Sequence, residues 1–271
     1  MIYWLMIGVF DSGYGGLTVF RELDKKFPKY DLIYFGDNSR APYGSRSPET
    51  IYEYTCEAVD WLFRNGCQLV ILACNTASAV ALRKIQQEYL SENFSEKRVL
   101  GVLIPIAEEI AQTNGKETIG ILATPATVES GAYIREIKKI DPDANIVQAA
   151  APLLVPIIES GMIYHNSTKD IIRTYLEPLK KENIKNLVLG CTHYPFIKHL
   201  IQAEMPDAKI FDSPSIIPAS LENYLSRHPE IENKLTTKRQ RCYITTGDPK
   251  RFSEFAKKFI GLEIYAEKLS K

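Results

Sequence analysis

Residues 69–74 read Leu-Val-Ile-Leu-Ala-Cys, and residues 186–191 read Asn-Leu-Val-Leu-Gly-Cys. Both are apolar runs of strand length that end in a cysteine, and such runs are typical of strands buried on both faces of a parallel sheet. Residues 7–9, Ile-Gly-Val, are matched by residues 119–121, Ile-Gly-Ile, at nearly the same offset. The repeat predicts two related halves, each of which is a parallel α/β unit.

Helical patterns fill the gaps between these runs. Ile51, Ala58 and Leu62 belong to an apolar face with helical spacing, and residues 47–48, Ser-Pro, are typical of a helix start. We predict strands at residues 7–11, 32–37, 69–73, 98–103, 118–123, 145–149, 186–190, 209–211 and 241–245. The predicted fold class is α/β with mostly parallel sheets, which bind ligands beyond the carboxyl ends of their strands. The boundary between the halves is expected within residues 91–98, because no Gly-, Ser- or Pro-rich linker separates them.

The composition is that of an ordinary globular protein. Of 271 residues, 45% are hydrophobic and 24% charged, which argues against disorder. Lys and Arg total 33, as do Asp and Glu, so the basic surface typical of nucleic-acid binding is not expected and a small-molecule partner is. The apolar opening at residues 1–10 lacks a basic region and a cleavage site and is too short to span a bilayer. Five cysteines, an odd and sparse set, indicate free thiols in a cytoplasmic protein.

Polar residues follow both of the cysteines at the strand ends. Cys74 is followed by residues 75–78, Asn-Thr-Ala-Ser, and Cys191 by residues 192–195, Thr-His-Tyr-Pro. Each cysteine therefore leads from a buried strand toward an expected helix N-terminus, where backbone amides favour a thiolate or a bound carboxylate. We interpret the other cysteines as small hydrophobic residues: Cys56, Cys67 and Cys242.

Two thiols that face one cleft from opposite halves suit the inversion of a carbon acid. One base removes the proton from one face, while an acid delivers another proton to the opposite face. A resting thiol is mostly protonated near neutral pH, so each cysteine needs a neighbour that accepts its proton or stabilises its thiolate. His193 is the candidate beside Cys191, and Asp11 is the candidate beside Cys74; a purely structural histidine is the alternative.

A loop with closely spaced glycines follows the first predicted strand. Residues 11–16, Asp-Ser-Gly-Tyr-Gly-Gly, let backbone amides approach a ligand, and Asp11 could bind a substrate ammonium; a structural turn is the alternative. The loop matches neither the dinucleotide pattern nor a Walker motif, and no metal-ligand spacing is found. We therefore expect no cofactor and no metal.

Four motifs together resemble glutamate racemases: residues 9–16, residues 36–37 with 42–44, residues 73–78 and residues 190–195. The resemblance spans most of the chain. It implies a cytosolic, cofactor-independent isomerase that makes D-glutamate for bacterial peptidoglycan, built from two pseudo-symmetric α/β domains with the active site in the cleft between them. It also implies that the last segment returns to the first domain, which gives residues 1–97 plus 211–271 and residues 98–210 as the two domains.

The resemblance also implies roles for individual residues. Cys74 and Cys191 take the proton donor and acceptor roles, supported by Asp11, His193 and Glu159, with Asp37 as a further acidic candidate. Glu159 could equally be a solvated carboxylate at a helix end. The substrate-binding residues are Asp11, Ser12, Pro42, Tyr43, Gly44, Asn75, Thr76, Thr192 and His193. The family's oligomeric state varies, so a homodimer stays open.

Other functions fit parts of the pattern. A Cys/His hydrolase or lyase would use one thiol as a nucleophile and leave the other idle. A two-lobed amino-acid-binding protein would use neither thiol, and a structural zinc site would draw on Cys74, Cys191 and His193. Aspartate racemases resemble this architecture but typically lack the opening of residues 11–16 and carry an acidic residue where this chain has His193, so the motifs favour glutamate as substrate.

Overall fold

A computed structural model describes residues 5–113 and 115–269, so the first four residues of the apolar opening lie outside it. The strands are β1 (Ile7–Asp11), β2 (Leu32–Gly36), β3 (Leu69–Leu72), β4 (Arg98–Gly101), β5 (Ile119–Ala123), β6 (Ile146–Ala150), β7 (Asn186–Gly190), β8 (Lys209–Asp212), β9 (Arg241–Thr245) and β10 (Glu267–Lys268). All nine predicted strands are confirmed to within two residues. The two-residue β10 was not predicted, because its exposed, charged residues carry no strand pattern.

The helices are α1 (Leu17–Lys26), α2 (Pro48–Arg64), α3 (Asn75–Val80), α4 (Leu82–Lys84), α5 (Leu90–Asn93), α6 (Leu103–Thr113), α7 (Pro125–Glu129), α8 (Ala132–Ile140), α9 (Leu154–Glu159), α10 (Asn166–Lys181), α11 (Lys198–Glu204), α12 (Ser213–Arg227), α13 (Pro229–Glu232) and α14 (Pro249–Ile260). Single turns of other helix types lie at Tyr43–Ser45, Ile85–Tyr89, Met162–Tyr164 and Tyr194–Ile197. The predicted start of α2 is confirmed, since the Ser47 side chain accepts a hydrogen bond from the Thr50 amide and Pro48 follows it. Within the described ranges, no helix is both long and apolar enough to span a membrane.

The strands form two parallel sheets. The larger has the order β10-β9-β2-β1-β3-β4, and the smaller has the order β6-β5-β7-β8. The order β2-β1-β3-β4 in the first sheet matches β6-β5-β7-β8 in the second, strand for strand. The predicted repeat is thereby confirmed, because β1 and β5 are the central strands and β3 and β7 pair with them in the same way.

Side chains alternate between the two faces of each sheet. In β3, Leu69 and Ile71 pack on one face, while Val70 and Leu72 pack on the other. Helices cover both faces, so each half has a hydrophobic layer on either side of its sheet. This double burial explains why the strands read as continuous apolar runs.

The chain crosses between the sheets after β4 and again after β8. β4 hydrogen-bonds to β3, so the first sheet extends to Gly101, past the predicted boundary at residue 97. Near the end of the chain, β9 pairs with β2 in the first sheet. The exact division into domains stays a prediction, while the return of the last segment to the first sheet is seen directly in this pairing.

Candidate active site

A cavity lies where the carboxyl ends of β1 and β3 face those of β5 and β7. Residues of both halves line it: Ser12, Gly13, Ala41, Pro42, Tyr43, Gly44, Cys74, Asn75, Thr76, Thr124, Val155, Glu159, Cys191, Thr192 and His193. Both thiols are thus on its wall, as are all of the predicted site residues except Asp11 and Asp37.

Cys74 lies at the start of α3. Its Sγ accepts a hydrogen bond from the Ala77 amide at 3.4 Å and lies 3.4 Å from the Ser12 hydroxyl. Burial raises the pKa of the Cys74 thiol to about 12, and the negative charge of Asp11 adds to the rise, while the bonds from Ser12 and Ala77 oppose it. Cys74 is therefore a protonated thiol near neutral pH.

Cys191 has a different neighbourhood. Its Sγ lies 4.0 Å from His193 Nδ1, and His193 Nε2 lies 2.9 Å from Glu159 Oε1. Burial by itself lowers the pKa of His193, but the bonds to Cys191 and Glu159 outweigh burial and raise the pKa to about 10. A protonated imidazole beside Cys191 attracts the negative charge of a thiolate. The loop after Cys191 forms a short 3₁₀ turn at Tyr194–Ile197 where the sequence predicted a helix N-terminus.

Asp11 is fully buried behind the cavity wall. Its Oδ2 accepts from the Gly13 amide at 2.9 Å, and its Oδ1 accepts from the Thr192 hydroxyl at 3.1 Å. This short-range bond to the chain two residues on is typical of an aspartate that closes a turn. Asp11 thus ties the first loop to the loop after Cys191, and it reaches the cavity through its charge and through Thr192.

Asp37 also lies outside the described lining of the cavity. Its Oδ2 accepts from the Tyr43 hydroxyl at 2.5 Å and from Arg40 Nε at 2.7 Å, and its Oδ1 accepts from the Thr246 hydroxyl at 2.8 Å. Because the hydroxyl of Tyr43 donates to Asp37, a ligand would contact this loop through the backbone of Tyr43 and Gly44.

Glycines let the two halves approach closely at the cavity. A Cβ on Gly15 would meet the side chains of Thr192 and His193, and a Cβ on Gly44 would lie 2.7 Å from Thr124 Cβ. Only a residue without a side chain fits at these two crossing points. The glycines predicted for close approach to a ligand therefore also bring the first half against the second.

Thr124 is a site residue that the sequence analysis missed. It follows β5, caps α7 through a bond from the Thr127 amide, and lies with its hydroxyl 2.9 Å from that of Thr76. The available signal was the repeat itself, because β5 corresponds to β1 and Thr124 therefore corresponds to the loop that begins at Ser12. A Thr-Pro pair at a helix start is common in structural caps and does not by itself indicate a site.

The described residues contain no group of three or more His, Cys, Asp or Glu side chains placed to hold a metal ion. Cys74, Cys191 and His193 therefore do not form the zinc site considered from sequence. Among the described residues lining the cavity, His193 is the basic side chain, and the other polar groups are hydroxyls, amides, the two thiols and the Glu159 carboxylate.

Two parallel α/β halves place one thiol each on a shared cavity, an arrangement that suits proton transfer to and from opposite faces of a carbon acid. A family model of Asp/Glu/Hydantoin racemases matches residues 7–219, and the chain belongs to this family. A glutamate racemase of Microcystis aeruginosa is 38% identical over 268 residues, which cover 97% of this chain and 90% of that protein.

Solved structures agree with this assignment. A glutamate racemase isoform from Bacillus anthracis superposes with a TM-score of 0.89 at 31% identity and covers 99% of this chain and 98% of its own. A glutamate racemase from Francisella tularensis, solved in complex with D-glutamate, has a TM-score of 0.87 at 32% identity and covers 98% of this chain and 97% of its own. The likeness thus includes both halves and the cleft between them.

Proposed function

We propose that this protein interconverts L-glutamate and D-glutamate by a two-thiol mechanism and thereby supplies D-glutamate for bacterial peptidoglycan. The observation that carries the proposal is the presence of Cys74 and Cys191, from equivalent strand ends of opposite halves, on the wall of one cavity. The full-length likeness to glutamate racemases supports the choice of substrate.

In each turnover, one cysteine acts as a thiolate and removes the α-proton, which leaves the bonding electrons on the α-carbon and its carboxylate. The other cysteine, as a thiol, then delivers its proton to the opposite face of the same carbon. The first cysteine ends as a thiol and the second as a thiolate, so atoms and charge balance. Conversion of the other enantiomer uses the same groups with their roles exchanged.

His193 and Glu159 form the proton acceptor beside Cys191 in this proposal. His193 takes the thiol proton, and Glu159 holds the imidazole and stabilises its positive charge at 2.9 Å. Beside Cys74, Asp11 is proposed to act through its charge, which favours the protonated thiol, and through the Thr192 hydroxyl that it orients. The predicted direct contact of Asp11 with a substrate ammonium is therefore replaced by an indirect role.

Neutral donors are proposed to hold the two carboxylates of the substrate. The candidates are the side chains of Ser12, Asn75, Thr76, Thr124 and Thr192 together with the backbone of Pro42, Tyr43 and Gly44. Negative charge builds up on the α-carboxylate as the proton leaves, and fixed donors stabilise that charge without reorganising. We expect these donors to supply the electron-withdrawing environment without a bound cofactor.

Substrate choice follows from the second carboxylate. If hydrogen-bond donors of the site pair with the γ-carboxylate of glutamate, they are left without a partner when aspartate binds. Such a mismatch favours glutamate over aspartate on the order of 10⁴-fold in kcat/KM. The test is to measure kcat/KM for L-glutamate, D-glutamate, L-aspartate and L-glutamine by polarimetry without added cofactor. We expect racemisation of both glutamate enantiomers and at most trace turnover of the others; equal turnover of aspartate would overturn the substrate assignment.

The same assay separates the proposal from its rivals. Hydrolysis of an ester or amide with acyl transfer to Cys191 alone would favour the nucleophilic reading of the Cys191 and His193 pair. Binding of glutamate without loss of its α-proton would favour an amino-acid-binding protein. A cytoplasmic location also belongs to the proposal and is checked by cell fractionation. Light scattering of the purified protein measures the oligomeric state, for which the sequence leaves a homodimer open.

A further inference from the structure

We infer that Tyr133 is a positioning residue that fixes the Asn75 side-chain amide with one of its N–H groups available to the substrate. Tyr133 belongs to α8 of the second half and is not among the described residues that line the cavity. The inference rests on the proposed role of Asn75 in substrate binding and adds a residue that acts through it.

The contact is a buried hydrogen bond between the two halves. The Tyr133 hydroxyl lies 2.7 Å from Asn75 Oδ1, Tyr133 is fully buried, and Asn75 is 1% exposed. Burial raises the pKa of Tyr133 well above its usual range, so the hydroxyl keeps its proton. A buried hydroxyl that keeps its proton needs an acceptor, and Asn75 Oδ1 provides it.

This bond sets which way the amide faces. A side-chain amide has one oxygen acceptor and one nitrogen with two donor hydrogens. With Oδ1 committed to Tyr133, Nδ2 lies 3.4 Å from the Ser213 hydroxyl, which uses one hydrogen and leaves the other for a substrate oxygen. Without the Tyr133 hydroxyl the amide can rotate by half a turn and present its oxygen to a carboxylate, which repels it.

A second contact of α8 provides a matched control. Glu136, one turn beyond Tyr133 on the same helix, accepts hydrogen bonds from Arg83 of the first half, with Arg83 Nε at 3.2 Å from its Oε1. It also pairs with Lys139 at 2.9 Å. Glu136→Gln weakens the contact between the halves on the same helix but leaves the hydrogen bond from Tyr133 to Asn75 intact.

The experiment compares kcat and KM for both enantiomers of glutamate in Tyr133→Phe, Asn75→Ala, the double variant and Glu136→Gln. Tyr133→Phe should raise KM about 5- to 10-fold, the size expected when one ordinary hydrogen bond is lost, with kcat within about twofold. In the Asn75→Ala background the same substitution should change KM less than about twofold, because the amide it orients is gone. Glu136→Gln should leave KM within about twofold.

Three results would overturn the inference. One is an unchanged KM in Tyr133→Phe, and another is a KM rise of equal size with and without the Asn75 amide, since Tyr133 would then act on the fold. The third is a normal KM in Asn75→Ala, which would remove Asn75 from substrate binding while leaving the racemase proposal standing. Failure of the proposed function itself would show separately, as no racemisation by the unsubstituted protein.

Discussion

The ends of β3 and β7 are equivalent in the two sheets, and yet the cysteines that follow them have opposite surroundings. Cys74 lies near the buried carboxylate of Asp11, whose negative charge raises the pKa of the thiol. Cys191 lies 4.0 Å from His193, which Glu159 holds at 2.9 Å and which carries a raised pKa of about 10. One thiol faces an anion and the other a cation.

The internal repeat therefore places the two thiols symmetrically, whereas the loops around them carry side chains of opposite charge. The resting protein is expected to hold a proton on Cys74 and a protonated imidazole, His193, beside Cys191. Such an arrangement is ready for one direction of proton transfer. The reverse direction requires the protons to be redistributed between the two sides, which exchange with solvent can accomplish between turnovers.

Replacement of either cysteine gives the largest expected effect. Cys74→Ser and Cys191→Ser should each lower the racemisation rate by about 10³-fold or more, because a serine hydroxyl is a far weaker acid and base than a thiol. Each variant should still fold, because serine nearly preserves the volume. Circular dichroism of the glutamate product measures the rate, and near-normal racemisation in either variant would remove the need for two thiols.

Substitutions of His193 and Asp11 test whether the opposite charges beside the two thiols contribute to catalysis. His193→Asn should lower kcat by about 10²-fold, the usual effect of losing a proton-transfer partner, and Asp11→Asn by about tenfold. The ratio of kcat/KM for the two enantiomers must stay at the equilibrium constant of one. The asymmetry should therefore appear in the α-deuterium isotope effects, which His193→Asn should change more in the direction in which Cys191 is the base. Negligible effects of both substitutions would refute this assignment.

The alkylation rates of Cys74 and Cys191 report the difference in their charged surroundings without any substrate. Removal of the negative charge in Asp11→Asn should lower the pKa of Cys74 and raise its alkylation rate at pH 8 about tenfold for each unit of the fall. His193→Asn should slow alkylation of Cys191, because the cation that favours its thiolate is lost. Mass spectrometry of iodoacetamide-treated protein follows each cysteine, with Cys56 as a thiol outside the cavity for reference. A drop in Cys74 reactivity in Asp11→Asn would contradict the account.

The free energy of unfolding should depend on pH through His193, and this is the smallest of the predicted effects. Its pKa in the folded protein, about 10, lies above the unfolded value of 6.5, so its contribution is fully present below pH 6.5 and is lost as the pH rises toward 10. His193→Asn should reduce the free energy of unfolding by roughly 2 kcal/mol near pH 6 and by less at pH 10. Urea unfolding at both pH values measures this, and a difference between the two proteins that grows with pH would refute it.

The sequence predicts features that depend on local pattern. The continuous apolar runs locate the nine predicted strands, and their repetition locates Cys74 and Cys191 at matching strand ends. Contacts between distant segments carry no such pattern. His193 and Glu159 are 34 residues apart in sequence, and Tyr133 and Asn75 are 58 apart, so neither pair can be derived without the packing of the two halves.

Asp11 shows a second limit. Its place at the end of β1 was predicted, but the direction of its side chain was not, because that direction depends on the turn it closes with Gly13 and on Thr192 from the other half. Thr124 was missed for a related reason, since its functional position becomes visible only when β5 is placed opposite the thiol-bearing loops. The strand ends were predictable, whereas the orientation of side chains across the cleft was not.

The central claim is that two thiols act on opposite faces of one carbon, and hydrogen isotope transfer tests it most directly. Each enantiomer of glutamate is incubated in D₂O, and the α-position of substrate and product is examined by mass spectrometry at low conversion. We predict product that carries solvent deuterium and recovered substrate that keeps its protium, in both directions. Product that retains its original α-proton would mean that a single base serves both faces, and it would contradict the account.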